Sequence, residues 1–130
     1  MKQAIIIFNA FAVMSFAILF SQYSFSQSNS IISIKNFPEG NIPLTVIKQA
    51  RQLDVKPPYK LLSATVYISD SIGYCVTTLA LKGNVFDEDF LNHWNRLTKT
   101  STVTFDNIKL MAKTGKIVNF KPQRYRVISN

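Results

Sequence analysis

From residue 61 the chain alternates. Leu62, Ala64, Val66 and Ile68 share one parity, and Ser63, Thr65, Tyr67 and Ser69 share the other. This is the period of a strand with one face buried and one face wet. Asp70, Ser71 and Gly73 supply a turn. A second strand over 74–82 sets Cys75, Leu79 and Leu81 on a common face, and Gly83-Asn84 ends it. The period then changes. Phe90, Leu91, Trp94 and Leu97 form one apolar stripe of a helix over 87–97. Asp87 is placed to cap that helix. Glu88 and Asp89 suit the positive end of its dipole, and Arg96 and Lys99 the negative end.

Beyond the helix, Val103 and Phe105 alternate with Thr102, Thr104 and Asp106, while Ile108 and Leu110 continue the apolar set one position out of phase. A bulge or bend at Asp106-Asn107 brings all four apolar residues to the core side. Thr114-Gly115 reads as a tight turn into a strand over 116–120, with Gly115 taking the positive φ. After Pro122, Tyr125 and Val127 alternate with Arg124 and Arg126 in a last strand.

Nearer the start, Ile31, Ile32 and Ile34 form a short strand ended by Pro38 and Gly40. Pro43 opens a second helix over 43–53, with Val46, Ile47, Ala50 and Leu53 on one face. The β-branched Thr45, Val46 and Ile47 oppose it, and Pro57-Pro58 stops whatever precedes. The sum is a mostly β fold: an antiparallel, sandwich-like domain with helices over 87–97 and 43–53.

Ahead of this domain, Lys2 supplies a positive start, and Ala4 to Phe20 is apolar apart from Asn9 and Ser15. Ser24 and Ser26 are small residues suited to cleavage between Ser26 and Gln27. Residues 1–26 therefore read as a signal peptide, with 27–130 left as a single exported domain, periplasmic or extracellular. An uncleaved anchor is the alternative, because the stretch is about long enough to span a thinned bilayer. Against it, no Lys or Arg follows Lys2 until Lys35. The lone Cys75 lies too far downstream to carry the acyl chains of a lipoprotein.

Charge sharpens the picture. The net charge of +8 is concentrated late: after Thr98, seven basic residues face Asp106 alone. Lys109, Lys113, Lys116, Lys121, Arg124 and Arg126 are the candidate partner-binding residues. Such a basic end favours an acidic protein face, an anionic glycan or lipid head groups. Nucleic acid suits the charge, but an exported protein seldom meets it. A soluble face of lysines pointing to water is the plain alternative.

Catalytic chemistry finds little purchase. His93 is the only histidine and Cys75 the only cysteine. Cys75 shares its strand face with Leu79 and Leu81, which suits a buried thiol, and His93 is expected to face solvent. Two N or S donors are too few for zinc. Asp87-Glu88-Asp89 lacks the alternating oxygen ligands of a calcium loop, and no Gly-rich phosphate loop occurs. No catalytic site, metal or cofactor is expected. Phe90, Trp94, Phe105 and Phe120 fall on core faces, while Tyr67 and Tyr74 point outward.

Two stretches together carry a resemblance. Leu62-Ser63-Ala64-Thr65-Val66-Tyr67 and Val103-Thr104-Phe105-Asp106-Asn107-Ile108-Lys109 look like parts of the C-terminal domain of the gliding-motility protein GldM, and the similarity covers about 44–128. The second run is the more specific. The resemblance implies a β-rich domain that acts through protein contacts in the type IX secretion and gliding machinery and carries no catalytic residue. GldM's membrane helix and its other periplasmic domains have no counterpart here, so an adaptor or scaffolding role is expected rather than a motor role. Three functions follow in order: an envelope protein-interaction module, a secreted binder of anionic glycan or lipid, and a small hydrolase.

Overall fold

The computed structural model describes residues 30–70 and 75–130, with Cys75 described by its backbone alone. The expected signal peptide, Tyr74 and the Cys75 side chain lie outside the described residues. The chain divides into two units, Met1–Ser30 and Ile31–Asn130, and the second holds every element below.

In chain order these are β1 (Ile32–Ser33), β2 (Gly40–Pro43), α1 (Leu44–Gln49), β3 (Asp54–Val55), β4 (Lys60–Ser69), β5 (Cys75–Lys82), α2 (Glu88–Trp94), β6 (Thr102–Met111), β7 (Ile117–Phe120) and β8 (Gln123–Ile128). The fold is mostly β, with two sheets and two helices among the described residues. β1 and β3 make a small sheet; the large one runs β2-β8-β6-β4-β5, with β7 also on β6. Its pairings are antiparallel except β2–β8, which is parallel. Short turns cannot announce that exception, because β2 reaches β8 only after the rest of the domain has been laid down.

β6 is the spine. Val103, Phe105, Ile108 and Leu110 are all fully buried, as the expected bulge at Asp106-Asn107 requires. Asn107 supplies the turn in parity with a φ of +49°, a left-handed backbone that asparagine tolerates better than most residues. The Asp106 carboxylate accepts the Asn107 N–H at 2.7 Å. A second register shift between Leu61 and Ser63 offsets the first along the β4–β6 ladder. It corrects one sequence expectation: Leu61, not Leu62, enters the core from the start of β4, and Leu62 is half-buried.

β7 and β8 behave as one interrupted strand along β6. The pairs Ile108–Phe120 and Phe105–Gln123 lie on one unshifted register. The break falls at Lys121-Pro122, across from the Asp106-Asn107 bulge, where Pro122 has no N–H to give a ladder. Buried Gln123 turns its amide toward the carbonyl oxygens of Lys121 and Pro122, each at 3.3 Å.

Both helices exist but are shorter than expected. α2 starts where the sequence implies, with Asp87 Oδ1 accepting the Phe90 N–H at 2.8 Å. It ends at Trp94, and residues 95–97 continue as a turn. α1 stops at Gln49 instead of running to 53, because Ala50 is extended at φ −66° and ψ 135°. Pro43 precedes α1 as an extended cap rather than opening its first turn. Extending the chain at Ala50 still buries both Ala50 and Leu53.

One core lies on one face of the large sheet. α1, α2 and the small sheet contribute Ile47, Phe90, Trp94 and Ile32 to it. Trp94 is the keystone of this layer: fully buried, it donates its Nε1–H to the Ile47 carbonyl at 2.7 Å. Its ring stands 4.9 Å from Phe86, 5.4 Å from Phe90 and 6.3 Å from Phe105. Phe105 meets Tyr125 edge-on at 6.0 Å. The Tyr125 hydroxyl reaches the carbonyl oxygens of Phe37 and Pro38 at 2.9 and 2.8 Å. Burial, with the Glu39 charge adding to it, pushes the Tyr125 phenol well above its usual range.

Candidate functional site

The other face of the large sheet is where the chain's charge collects. In a strand, paired residues of neighbouring strands point to the same face, so the pairings give the outer face row by row. Lys82, Ser63, Lys109 and Asn119 form one row across β5, β4, β6 and β7. Lys60, Met111 and Ile117 form the row beside it. Thr78, Tyr67, Thr104 and Arg124 form another, and Ser69, Thr102, Arg126 and Asn41 the next. Ala80, Thr65 and Asp106 lie between the two groups.

Five basic side chains, Lys60, Lys82, Lys109, Arg124 and Arg126, therefore stand on this face against one carboxylate, Asp106. All five are exposed. None is ion-paired among the described residues, where the single ion pair joins Lys121 to Glu39 at 3.8 Å. The cations form two groups, with Tyr67 and the threonines between Lys60–Lys82–Lys109 and Arg124–Arg126. Four strand spacings of about 4.8 Å and a strand length near 30 Å give a face of about 600 Å². That approaches the roughly 800 Å² each partner contributes to a stable protein interface. Half-buried Tyr67 and Met111, exposed Ile117, and the arginines add the apolar, aromatic and guanidinium content typical of such contacts.

The six residues expected to bind a partner divide. Lys109, Arg124 and Arg126 lie on the face, alternating with buried Leu110, Tyr125 and Val127. Lys113 and Lys116 do not stand on a strand. They belong to the β6–β7 turn, closed by the Ala112 N–H on the Lys116 carbonyl at 2.8 Å and the Gly115 N–H on Ala112 at 2.9 Å. Lys121 sits at the β7–β8 break, beside Glu39. Sequence reasoning missed Lys60 and Lys82. Each flanks a buried leucine, Leu61 or Leu81, so alternation marks them as outward, but only strand pairing sets them beside Lys109.

No protein-family model matches the chain, and no curated protein matches it. Its own residues must carry the functional argument. The Asp87-Glu88-Asp89 run is a helix start, with Asp87 as the cap. His93 is half-buried rather than facing solvent fully, on the last turn of α2. Among the described residues no group of three or more His, Cys, Asp or Glu is placed to hold a metal, and no helix is long and apolar enough to cross a membrane.

Proposed function

We propose that this chain is an exported, non-catalytic interaction module of the cell envelope, docking an acidic protein surface on the outer face of its large sheet. The observation that carries it is the convergence of Lys60, Lys82, Lys109, Arg124 and Arg126 on one flat face with a single carboxylate among them. Charges exposed in this way steer association and set salt response more than they set affinity. The resemblance of residues 44–128 to the GldM C-terminal domain supports the same class of role, an adaptor or scaffold of a gliding or type IX secretion apparatus. Export follows from the leader-like residues 1–26; intact mass of protein recovered from its host should correspond to a chain beginning at Gln27.

The test is capture from envelope extract by the full chain, compared with two variants. Changing Lys60, Lys82, Lys109, Arg124 and Arg126 to Gln should weaken recovery of the partner, most at low salt. Changing Lys113 and Lys116 to Gln should leave it nearly intact. Equal loss in both variants would place the contact at the hairpin tip. A second reading, an anionic glycan or lipid surface, draws on the same cations. Face-dependent binding to purified acidic glycan or anionic vesicles, with no protein captured, would select it.

A further inference from the structure

Three large apolar residues are exposed among the described residues: Val76, Val85 and Ile117. Of these, Ile117 alone adjoins a lysine in the chain. It opens β7 directly after Lys116, at the tip of the β6–β7 hairpin, and pairs with half-buried Met111. On its other side Met111 pairs with exposed Lys60. Lys113 and Lys116 stand in the turn itself, both exposed. None of these three lysines is ion-paired among the described residues. The two segments that meet at this end of the sheet, 55–69 and 107–130, contain no Asp or Glu.

The tip is preformed. The Ala112 N–H bonds the Lys116 carbonyl at 2.8 Å, the Gly115 N–H bonds the Ala112 carbonyl at 2.9 Å, and Gly115 closes the turn at a φ of +88°. Just behind, Val118 pairs with fully buried Leu110, which anchors the hairpin in the core. A projecting turn offers far less than the roughly 800 Å² each partner brings to a stable protein interface. A bilayer asks for less. One apolar side chain can enter the headgroup boundary while lysines around it attract anionic lipid, each strengthening binding about fivefold.

We propose that the tip of the β6–β7 hairpin seats the domain on an anionic lipid bilayer. Ile117 enters the headgroup boundary, and Lys60, Lys113 and Lys116 are held at the lipid phosphates. Arg124 and Arg126 pair with Thr104 and Thr102 toward the far end of β6. At about 3.4 Å per residue they stand roughly 25–30 Å from Met111, well beyond the ~8 Å over which exposed charges act at physiological salt. The protein-docking reading can therefore fail without this one, and the reverse.

The test is co-sedimentation of the full chain with phosphatidylcholine vesicles, with and without phosphatidylglycerol; residues 1–26 contribute alike to every variant compared. Binding should rise with phosphatidylglycerol and fall with salt. Lys113→Gln with Lys116→Gln should weaken binding to the anionic vesicles about twentyfold, and Ile117→Ser about fivefold. Arg124→Gln with Arg126→Gln removes the same charge and should change binding by less than about twofold. Ile117→Trp should give blue-shifted emission on anionic vesicles alone. Equal loss from the two charge-matched pairs would reduce the effect to net charge and overturn the proposal. So would binding that ignores phosphatidylglycerol, or that survives the Lys113 and Lys116 changes.

Discussion

The two faces of the large sheet are built from the same strands and do opposite work. On the inner face β6 alone buries Val103, Phe105, Ile108 and Leu110, and an aromatic chain from Phe86 through Trp94 and Phe105 to Tyr125 ties helices and sheet together. On the outer face the intervening residues of β4, β6 and β8 are mostly Ser, Thr, Tyr, Lys and Arg, with Asp106, Met111 and Ile128 the exceptions. Burial concentrates stability in one layer, at about 25 cal/mol per Å² of apolar surface removed from water. The other layer is then free to vary without unfolding the domain. A strongly basic outer face is tolerable because the apolar face does not depend on it.

That contrast can be broken first at Trp94. Trp94→Ala should cost about 3–5 kcal/mol, since it empties a large buried site and orphans the Ile47 contact. Denaturant melts measure it. A cost near that of a surface change would mean that α2 does not cap the core.

Tyr125→Phe should come next, at about 1–3 kcal/mol, through loss of the hydroxyl that the Phe37 and Pro38 carbonyls share. It also carries a pH signature. Because the folded phenol is pushed above its unfolded value of about 10, its contribution is fully present below that pH and declines as pH rises above it. Stability of the wild-type chain should therefore fall more steeply above about pH 10 than that of Tyr125→Phe. Parallel alkaline melting curves would show that the hydroxyl is not held as described.

The hinge between the faces is Asn107. Asn107→Val should cost about 1–2 kcal/mol, the penalty of a branched side chain in left-handed backbone, whereas Asn107→Gly should be close to neutral. Equal effects would argue against the bulge as the device that keeps Ile108 and Leu110 inside.

The smallest effects belong to the outer face. Replacing Lys60, Lys82, Lys109, Arg124 and Arg126 with Gln should move stability by less than about 0.5 kcal/mol per site, and His93→Ala on the last turn of α2 should behave alike. A large loss from the face variant would mean that the two faces are not independent, and the docking reading would lose its control.

Much of this was legible in the chain. Alternation along 61–69 and 102–110 told which residues turn inward, and the phase slip at Asp106-Asn107 required the bulge that Asn107 supplies. Asp87 followed by two carboxylates marked the start of α2. These are local properties: successive side chains on a strand must point to opposite faces, and a cap bonds an N–H three residues on. Other features needed partners distant in sequence. The parallel pairing of β2 with β8, the exchange of Leu62 for Leu61, and the early end of α1 depend on what packs against them. The outer face is the sharpest case. A strand's parity says only that Lys60, Lys82 and Lys109 point away from the core. That they stand together, while Lys113 and Lys116 leave for the hairpin tip, was decided by which strands are neighbours, and hydrogen bonding between distant segments alone sets that order.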